Sequence, residues 1–357
     1  MQLVGVDHLE GGLAGRLPTL ILTIGWRPSL KSLEHVRSPL LACRDDDRGS
    51  QRLPPGIRAA VLDRLPAADL ERASLLGKGI ATRAYQVDDP SGAWVVRVAS
   101  EYPKPWTWRG GRAYEVPLLR ALANRGLPVP RDQFAVCDHG GLPVAIVERK
   151  VGGGPLTSRP RGGRRDCLAR QLAEFLTELH TFPVPEARSL GLTSAPVAVD
   201  ARQHLDLAHS ILTDKVRWWL DQEISWLERQ DLPLAVVHRD FRAEHLYVDA
   251  NGDLVDVIDF GDTTIDDPAL DFAKIAGDFG DPFLDLLLAY YRGPADQALL
   301  ARAQLYRRLD TLWEVAEDAW GDRSSALRRL RSLAAAATRP GTRSESVSAR
   351  RAMATRS

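Results

Sequence analysis

Between Val236 and Ala273 the sequence reads VVHRDFRAEHLYVDANGDLVDVIDFGDTTIDDPALDFA, a stretch in which short apolar runs deliver charged residues to loops. Leu234 to Val237 has the length and composition of a buried strand, and it is followed by His238, Arg239 and Asp240. Leu246 to Val248 reads as a second short strand, and Asn251-Gly252 supplies a turn signal. The chain can then return through Leu254 to Ile258 and carry Asp259 to a strand end. Two carboxylates thus converge from neighbouring loops, and His245, five residues after Asp240, is a second metal candidate. That combination suits phosphoryl transfer, in which a protein mainly positions a hydroxyl, a polyphosphate and one or two divalent cations. One carboxylate accepts the hydroxyl proton while the other holds metal.

The order H-x-D, a ligand five residues on, I-D-F-G-D and then D-P-x-x-D resembles the catalytic segment of the aminoglycoside phosphotransferase family. Either H-x-D or D-F-G alone is a weak signal; their order and spacing together are specific. The resemblance implies an α+β, two-lobed protein-kinase-like fold, with a small antiparallel-sheet N-lobe and a larger, mainly helical C-lobe. It makes Asp240 the base, Asp259 and His245 the magnesium ligands, and His238 and Asp271 structural supports of the catalytic loop. The donor is ATP or GTP, and the acceptor an aminoglycoside-like antibiotic, which would make the protein a resistance enzyme.

The same resemblance assigns residues upstream. Arg97, in Trp94-Val95-Val96-Arg97-Val98, stands where protein kinases have the strand lysine that contacts phosphates. Arginine keeps that charge and adds a planar fork. Glu115 is its natural partner, and Pro117 places Glu115 at the very start of a helix or just before it. Gly77 and Gly79 lie in a hairpin turn that would bring backbone amides to phosphates, although the G-x-G-x-x-G pattern is absent. Backbone groups from Glu148 to Lys150 would meet the purine edge, and Gly152-Gly153-Gly154 would let the lobes adjust.

The elements that must position these residues follow from hydrophobic spacing. Strands are expected over Ala73 to Val87, Ala93 to Ala99, Phe134 to Cys137 and Val144 to Val147. Helices are expected over Arg112 to Asn124, Asp166 to His180, Ala201 to Thr213, Asp214 to Arg229, two segments after Asp267, Ala295 to Trp320, and Ser324 to Ala337. His180 reads as a helix-end residue. The expected division is a poorly ordered extension over 1–70, an N-lobe over 71–150, a C-lobe over 151–337 and a disordered basic tail over 338–357.

A chain of 357 residues can bury a sizeable core, and its formal net charge of zero gives no global electrostatic case for nucleic acid. Cys43, Cys137 and Cys167 lie far apart in no metal-ligand spacing, which points to a reducing cytoplasm. The most apolar early run, Leu17 to Trp26, is about half the roughly 20 residues of a spanning helix, so no membrane association is expected. A monomer is expected, with a dimer as the alternative.

For the acceptor, the carboxylates after Asp240 suggest a field that attracts a cationic small molecule. Asp262, Asp278, Asp281, Glu314 and Asp318 are the amine-contact candidates. Related kinases act on macrolides and other small metabolites, and a macrolide would need an apolar trough. A catalytically silent nucleotide-binding regulator would lose its base or a metal ligand, yet Asp240 and Asp259 are both present.

Overall fold

Alternation along two neighbouring strands creates the two faces of the N-lobe. The computed structural model describes residues 52–79, 81–102, 112–157, 160–318 and 322–337. Its first elements are α1 (Pro55–Arg64), β1 (Asp69–Lys78), β2 (Thr82–Asp89), β3 (Gly92–Ala99), α2 (Glu115–Asn124), β4 (Phe134–Cys137) and β5 (Pro143–Arg149). The strands form one antiparallel sheet in the order β1-β2-β3-β5-β4. Trp94, Val96 and Val98 of β3 join Val87, Val144 and Val147 in an apolar layer that also buries Leu53, Ile57 and Val61. The opposite face carries Arg97, because successive side chains of a strand point to opposite sides. Residues 52–70, expected to belong to a poorly ordered extension, instead carry Leu53, Ile57 and Val61 into the core of this lobe. Residues 1–51, the expected tail from 338, and Cys43 lie outside the described residues.

The C-lobe runs through β6 (Gly154–Pro155), α3 (Gly163–His180), α4 (Val184–Ser189), α5 (Val197–Leu207), α6 (Asp214–Glu228), β7 (Ala235–Val237), β8 (Leu246–Val248), β9 (Leu254–Val257), β10 (Thr264–Asp266), α7 (Ala269–Phe279), α8 (Asp281–Tyr290), α9 (Leu299–Glu317) and α10 (Arg323–Ala337). Its core cluster takes the apolar stripe of α3, with Leu168, Leu172, Phe175, Leu176 and Leu179, together with Val236, Phe241, Ile275 and Leu312. Leu118, Leu119 and Leu122 of α2 belong to the same cluster, so this helix packs on the C-lobe while Glu115 points at the N-lobe sheet. The architecture is the two-lobed α+β fold expected from the sequence.

Several boundaries differ for tertiary reasons. Helix α5 begins at Val197, four residues before the expected Ala201, because the buried Asp266 carboxylate accepts the Val197 N–H at 3.0 Å and caps it from elsewhere in the chain. The turn at Asn251-Gly252 is a longer connection, closed by Asp249, whose carboxylate accepts the Asn251 and Asp253 amides at 2.8 and 3.0 Å. The glycine run after β5 is tied down: β6 pairs with β8, and a Cβ at Gly153 would overlap the Val248 carbonyl. Close backbone approach, not lobe flexibility, is what requires glycine at 153.

Candidate active site

Strand β7 pairs antiparallel with β10 and ends at Val237, so His238, Arg239 and Asp240 leave the sheet together. Arg239 adopts a left-handed conformation (φ 71) to make that turn. One buried carboxylate holds it: Asp271, in the first turn of α7, accepts the N–H groups of His238 (3.0 Å) and Arg239 (2.7 Å). The same carboxylate bonds His180 Nε2 at 2.9 Å, and His180 Nδ1 bonds the Tyr291 hydroxyl at 2.8 Å. Asp271 thus occupies the place expected of a loop support. His180, expected only as a helix end, is part of that support.

His238 lies fully buried, with Nε2 donating to the Ile258 carbonyl at 3.0 Å and Nδ1 accepting the Asp240 N–H at 3.3 Å. It therefore ties the loop carrying Asp240 to the strand end carrying Asp259. Burial pushes its pKa below the ordinary imidazole value.

A single turn of 3-10 helix, Ala243–His245, follows Asp240 and delivers His245. The Asp278 carboxylate accepts the Ala243 N–H at 2.7 Å. The His245 Nδ1 donates to the Asp240 carbonyl at 2.8 Å, which fixes the ring and leaves the lone pair on Nε2. That Nε2 lies 3.8 Å from Asp259 Oδ2, and Nδ1 lies 3.6 Å from Asp240 Oδ2. Asp240 Oδ1 is engaged by Arg242 Nε at 2.8 Å.

Asp259 sits in the left-handed region at φ 64 and opens the 3-10 turn Phe260–Asp262. Burial works against its charge, but the guanidinium groups of Arg112 and Arg97 prevail and hold its carboxyl down at about 2. Arg97 Nη1 and Arg112 Nη1 lie 3.7 and 3.8 Å from Asp259 Oδ1. Arg97 also pairs with Glu115 at the start of α2, as the position of Pro117 implied.

Glu148 belongs to this network. Its two carboxylate oxygens accept from Arg97 Nε at 3.1 Å and Nη2 at 3.2 Å. Two of the backbone donors expected to meet a purine edge between Glu148 and Lys150 are engaged within the chain. The Arg149 N–H donates to the Arg131 carbonyl and the Lys150 N–H to the Ala93 carbonyl, at 3.0 and 2.9 Å, while Lys150 Nζ donates to Gln86 Oε1 at 2.7 Å. Neighbouring carbonyls outside the strand ladder take these two donors, and Glu148 contributes its side chain to the Arg97 network. Gly77 lies in the exposed end of β1, and the Gly79 N–H donates to the Thr82 carbonyl at 2.8 Å, which closes the hairpin.

The acidic field expected to be short of cations is largely paired. Asp281 binds Arg307 at 3.0 Å, Glu314 binds Arg329, and Asp318 accepts the Arg323 N–H at 3.2 Å. Asp278 caps the catalytic-loop turn, and Asp262 lies in the 3-10 turn after Asp259. Sequence reasoning passed over Arg112 and Arg242. Arg112 stands three residues before Glu115 and Arg242 two after Asp240, and that proximity is the signal that would have found them.

Among the described residues no cluster of three or more His, Cys, Asp or Glu is placed to hold a metal ion. The convergent pair is His245 Nε2 with Asp259 Oδ2. Two protein donors, one of them carboxylate, fit a magnesium ion that takes its remaining ligands from phosphate and water, as Mg²⁺ in nucleotide sites does. No helix of the described residues is long and apolar enough to cross a membrane.

A family model described as a phosphotransferase enzyme family matches residues 72–312. An uncharacterized protein of Bacillus subtilis (strain 168), YcbJ, is 27% identical over 136 residues, which cover 35% of the chain and 43% of that protein. The chain therefore spans less than half the length of this curated relative. The fold is similar to an aminoglycoside 2''-phosphotransferase solved with GDP and kanamycin, with TM-score 0.64 and 22% identity over 78% of the chain and 96% of the other. It is also similar to the macrolide 2'-phosphotransferase MphH from Brachybacterium faecium, with TM-score 0.56 and 18% identity over 76% of the chain and 97% of the other.

Proposed function

The chain belongs to the phosphotransferase enzyme family, and from that premise we propose that it moves the terminal phosphoryl group of ATP or GTP to a hydroxyl of a cationic, aminoglycoside-like small molecule. The observation that carries this reading is the convergence of Asp240 and Asp259 on opposite sides of one oriented imidazole, 3.6 and 3.8 Å from its two nitrogens.

In this reading Asp240 Oδ2 accepts the acceptor hydroxyl proton, while Arg242 holds Oδ1 and so sets the carboxylate plane. His245 Nε2 and Asp259 Oδ2 would hold magnesium, whose charge would offset the negative charge developing on the transferred phosphoryl group. Arg97 is clamped by Glu115 and Glu148, which leaves Nη1 buried and without a hydrogen-bond partner among the described residues. A phosphate oxygen would satisfy that donor. Gly77 and Gly79 shape the β1–β2 hairpin, where the Gly79 amide is taken by the Thr82 carbonyl rather than offered to phosphate. Such an enzyme would act as an antibiotic-resistance determinant in the cytoplasm and work as a monomer.

A macrolide acceptor is the second reading. It is favoured by the arginine side chains that pair with Asp281, Glu314 and Asp318, which reduce the free acidic surface left for amines. A panel of both drug classes against ATP and GTP, read as phosphate transfer, separates the two. Transfer to neither class with either nucleotide would overturn the antibiotic readings and leave another small metabolite as acceptor.

A further inference from the structure

We propose that Arg112 is a positioning residue for Asp259, holding one carboxylate oxygen so that the other faces His245; the inference rests on the phosphoryl-transfer reading above. Arg112 lies three residues before α2, buried, with its backbone in the left-handed region at φ 58. A bulky residue at positive φ is strained and persists where surrounding contacts determine it. Its carbonyl accepts the Glu115 N–H at 3.0 Å, so the same residue starts the helix that presents Glu115 to Arg97.

The side chain of Arg112 lies on the backbone of Gly261. A Cβ at Gly261 would overlap the guanidinium, so glycine here makes the space in which the arginine lies. The Tyr114 hydroxyl donates to the Gly261 carbonyl at 2.7 Å, so two residues of one short segment grip the turn after Asp259. From that seat Arg112 Nη1 is 3.8 Å from Asp259 Oδ1 and 3.9 Å from Glu115 Oε2. Arg97 Nη1 approaches the same Oδ1 at 3.7 Å, whereas Oδ2 faces His245 Nε2 at 3.8 Å. The two oxygens of Asp259 are thereby divided, one toward guanidinium groups and one toward the donor that completes a cation site. Three carboxylates, Glu115, Glu148 and Asp259, share the charge of Arg97 and Arg112; without Arg112 a single guanidinium would have to serve all three.

The test uses the full chain and calorimetric titration with a non-hydrolysable ATP or GTP analogue, with and without Mn²⁺. Arg112→Met should lose about tenfold of the affinity that Mn²⁺ adds, the lower end of losses for residues that orient metal ligands, while metal-free nucleotide binding stays within about twofold. Arg112→Lys keeps the charge but not the flat fork on Gly261. It should recover part of the loss, and it provides a folded variant where methionine destabilises the chain. Gly261→Ala displaces the guanidinium, so it should reproduce the Arg112→Met loss and add little to it in the double variant. Equal losses with and without Mn²⁺, or additive losses in the double variant, overturn the positioning role while leaving phosphoryl transfer intact. A parent protein whose nucleotide affinity gains nothing from Mn²⁺ overturns both.

Discussion

Two acidic regions of this molecule looked alike in sequence and differ in what their carboxylates face. Around the catalytic loop, Asp271, Asp240 and Asp259 meet backbone amides, the two imidazoles of His180 and His245, and guanidinium groups, each fixed in direction by a strand end or a helix start. Along α8 to α10, Asp281, Glu314 and Asp318 meet arginines that lie further along the chain in sequence. In the first region a carboxylate is oriented toward open chemistry; in the second it is neutralised. Acidic residue type alone therefore says little about function until the counter-charges are placed, and the placement depends on which helices pack together.

The sharpest way to break this comparison is Asp240→Asn. It should lower turnover by at least ~100-fold, the range covered by lost general-base catalysis, with the melting temperature unchanged. Turnover within a few-fold of the parent would remove Asp240 from the chemistry and make the two regions equivalent.

Asp271→Ala comes next. It strands the His238 and Arg239 amides and His180, so urea unfolding should show a loss of roughly 1–3 kcal/mol, and activity should fall in step. Full stability with lost activity would make Asp271 a chemical participant.

A smaller and pH-dependent effect is expected at Asp256 on β9, where burial raises the carboxyl to about 7, with Glu148 adding repulsion, and Oδ1 lacks a hydrogen-bond partner among the described residues. A folded-state pKa above the ordinary carboxylate value means that the folded protein binds the proton more tightly. Its stability relative to an Asp256→Asn variant is therefore lost as pH rises from about 4 through 7. The variant should be more stable than the parent at pH 8, by on the order of 1 kcal/mol, and gain nothing at pH 4. Equal gains at both pH values would show that the carboxylate does not titrate in this range.

The smallest effect is expected on the other side of the comparison. The Asp281 and Arg307 side chains are 61% and 38% exposed, so Asp281→Asn should change stability by less than about 0.5 kcal/mol. It should also leave the acceptor KM unchanged. A tenfold rise in KM would return Asp281 to the acceptor site.

The catalytic segment was legible because its signals are local. A buried strand, a fixed count of residues and a D-F-G turn put Asp240, His245 and Asp259 on adjacent loops, and Pro117 placed Glu115 at a helix start. Helices with a clear apolar stripe, such as α3 and α6, were legible for the same reason. Hydrophobic period and helix-starting chemistry are properties of the chain itself.

What tertiary structure decided were the partners. Glu148 pairs with Arg97 because β3 and β5 lie side by side with both residues on one face of the sheet. Arg112 reaches Asp259 because α2 crosses to the C-lobe, and α5 starts at Val197 because Asp266 caps it from 69 residues away. Helix α1 joins the N-lobe because the far face of the sheet needed an apolar cover, which no pattern within residues 52–64 announces. Charge pairing and capping across the chain are fixed by where elements meet in space, and sequence distance carries almost none of that information.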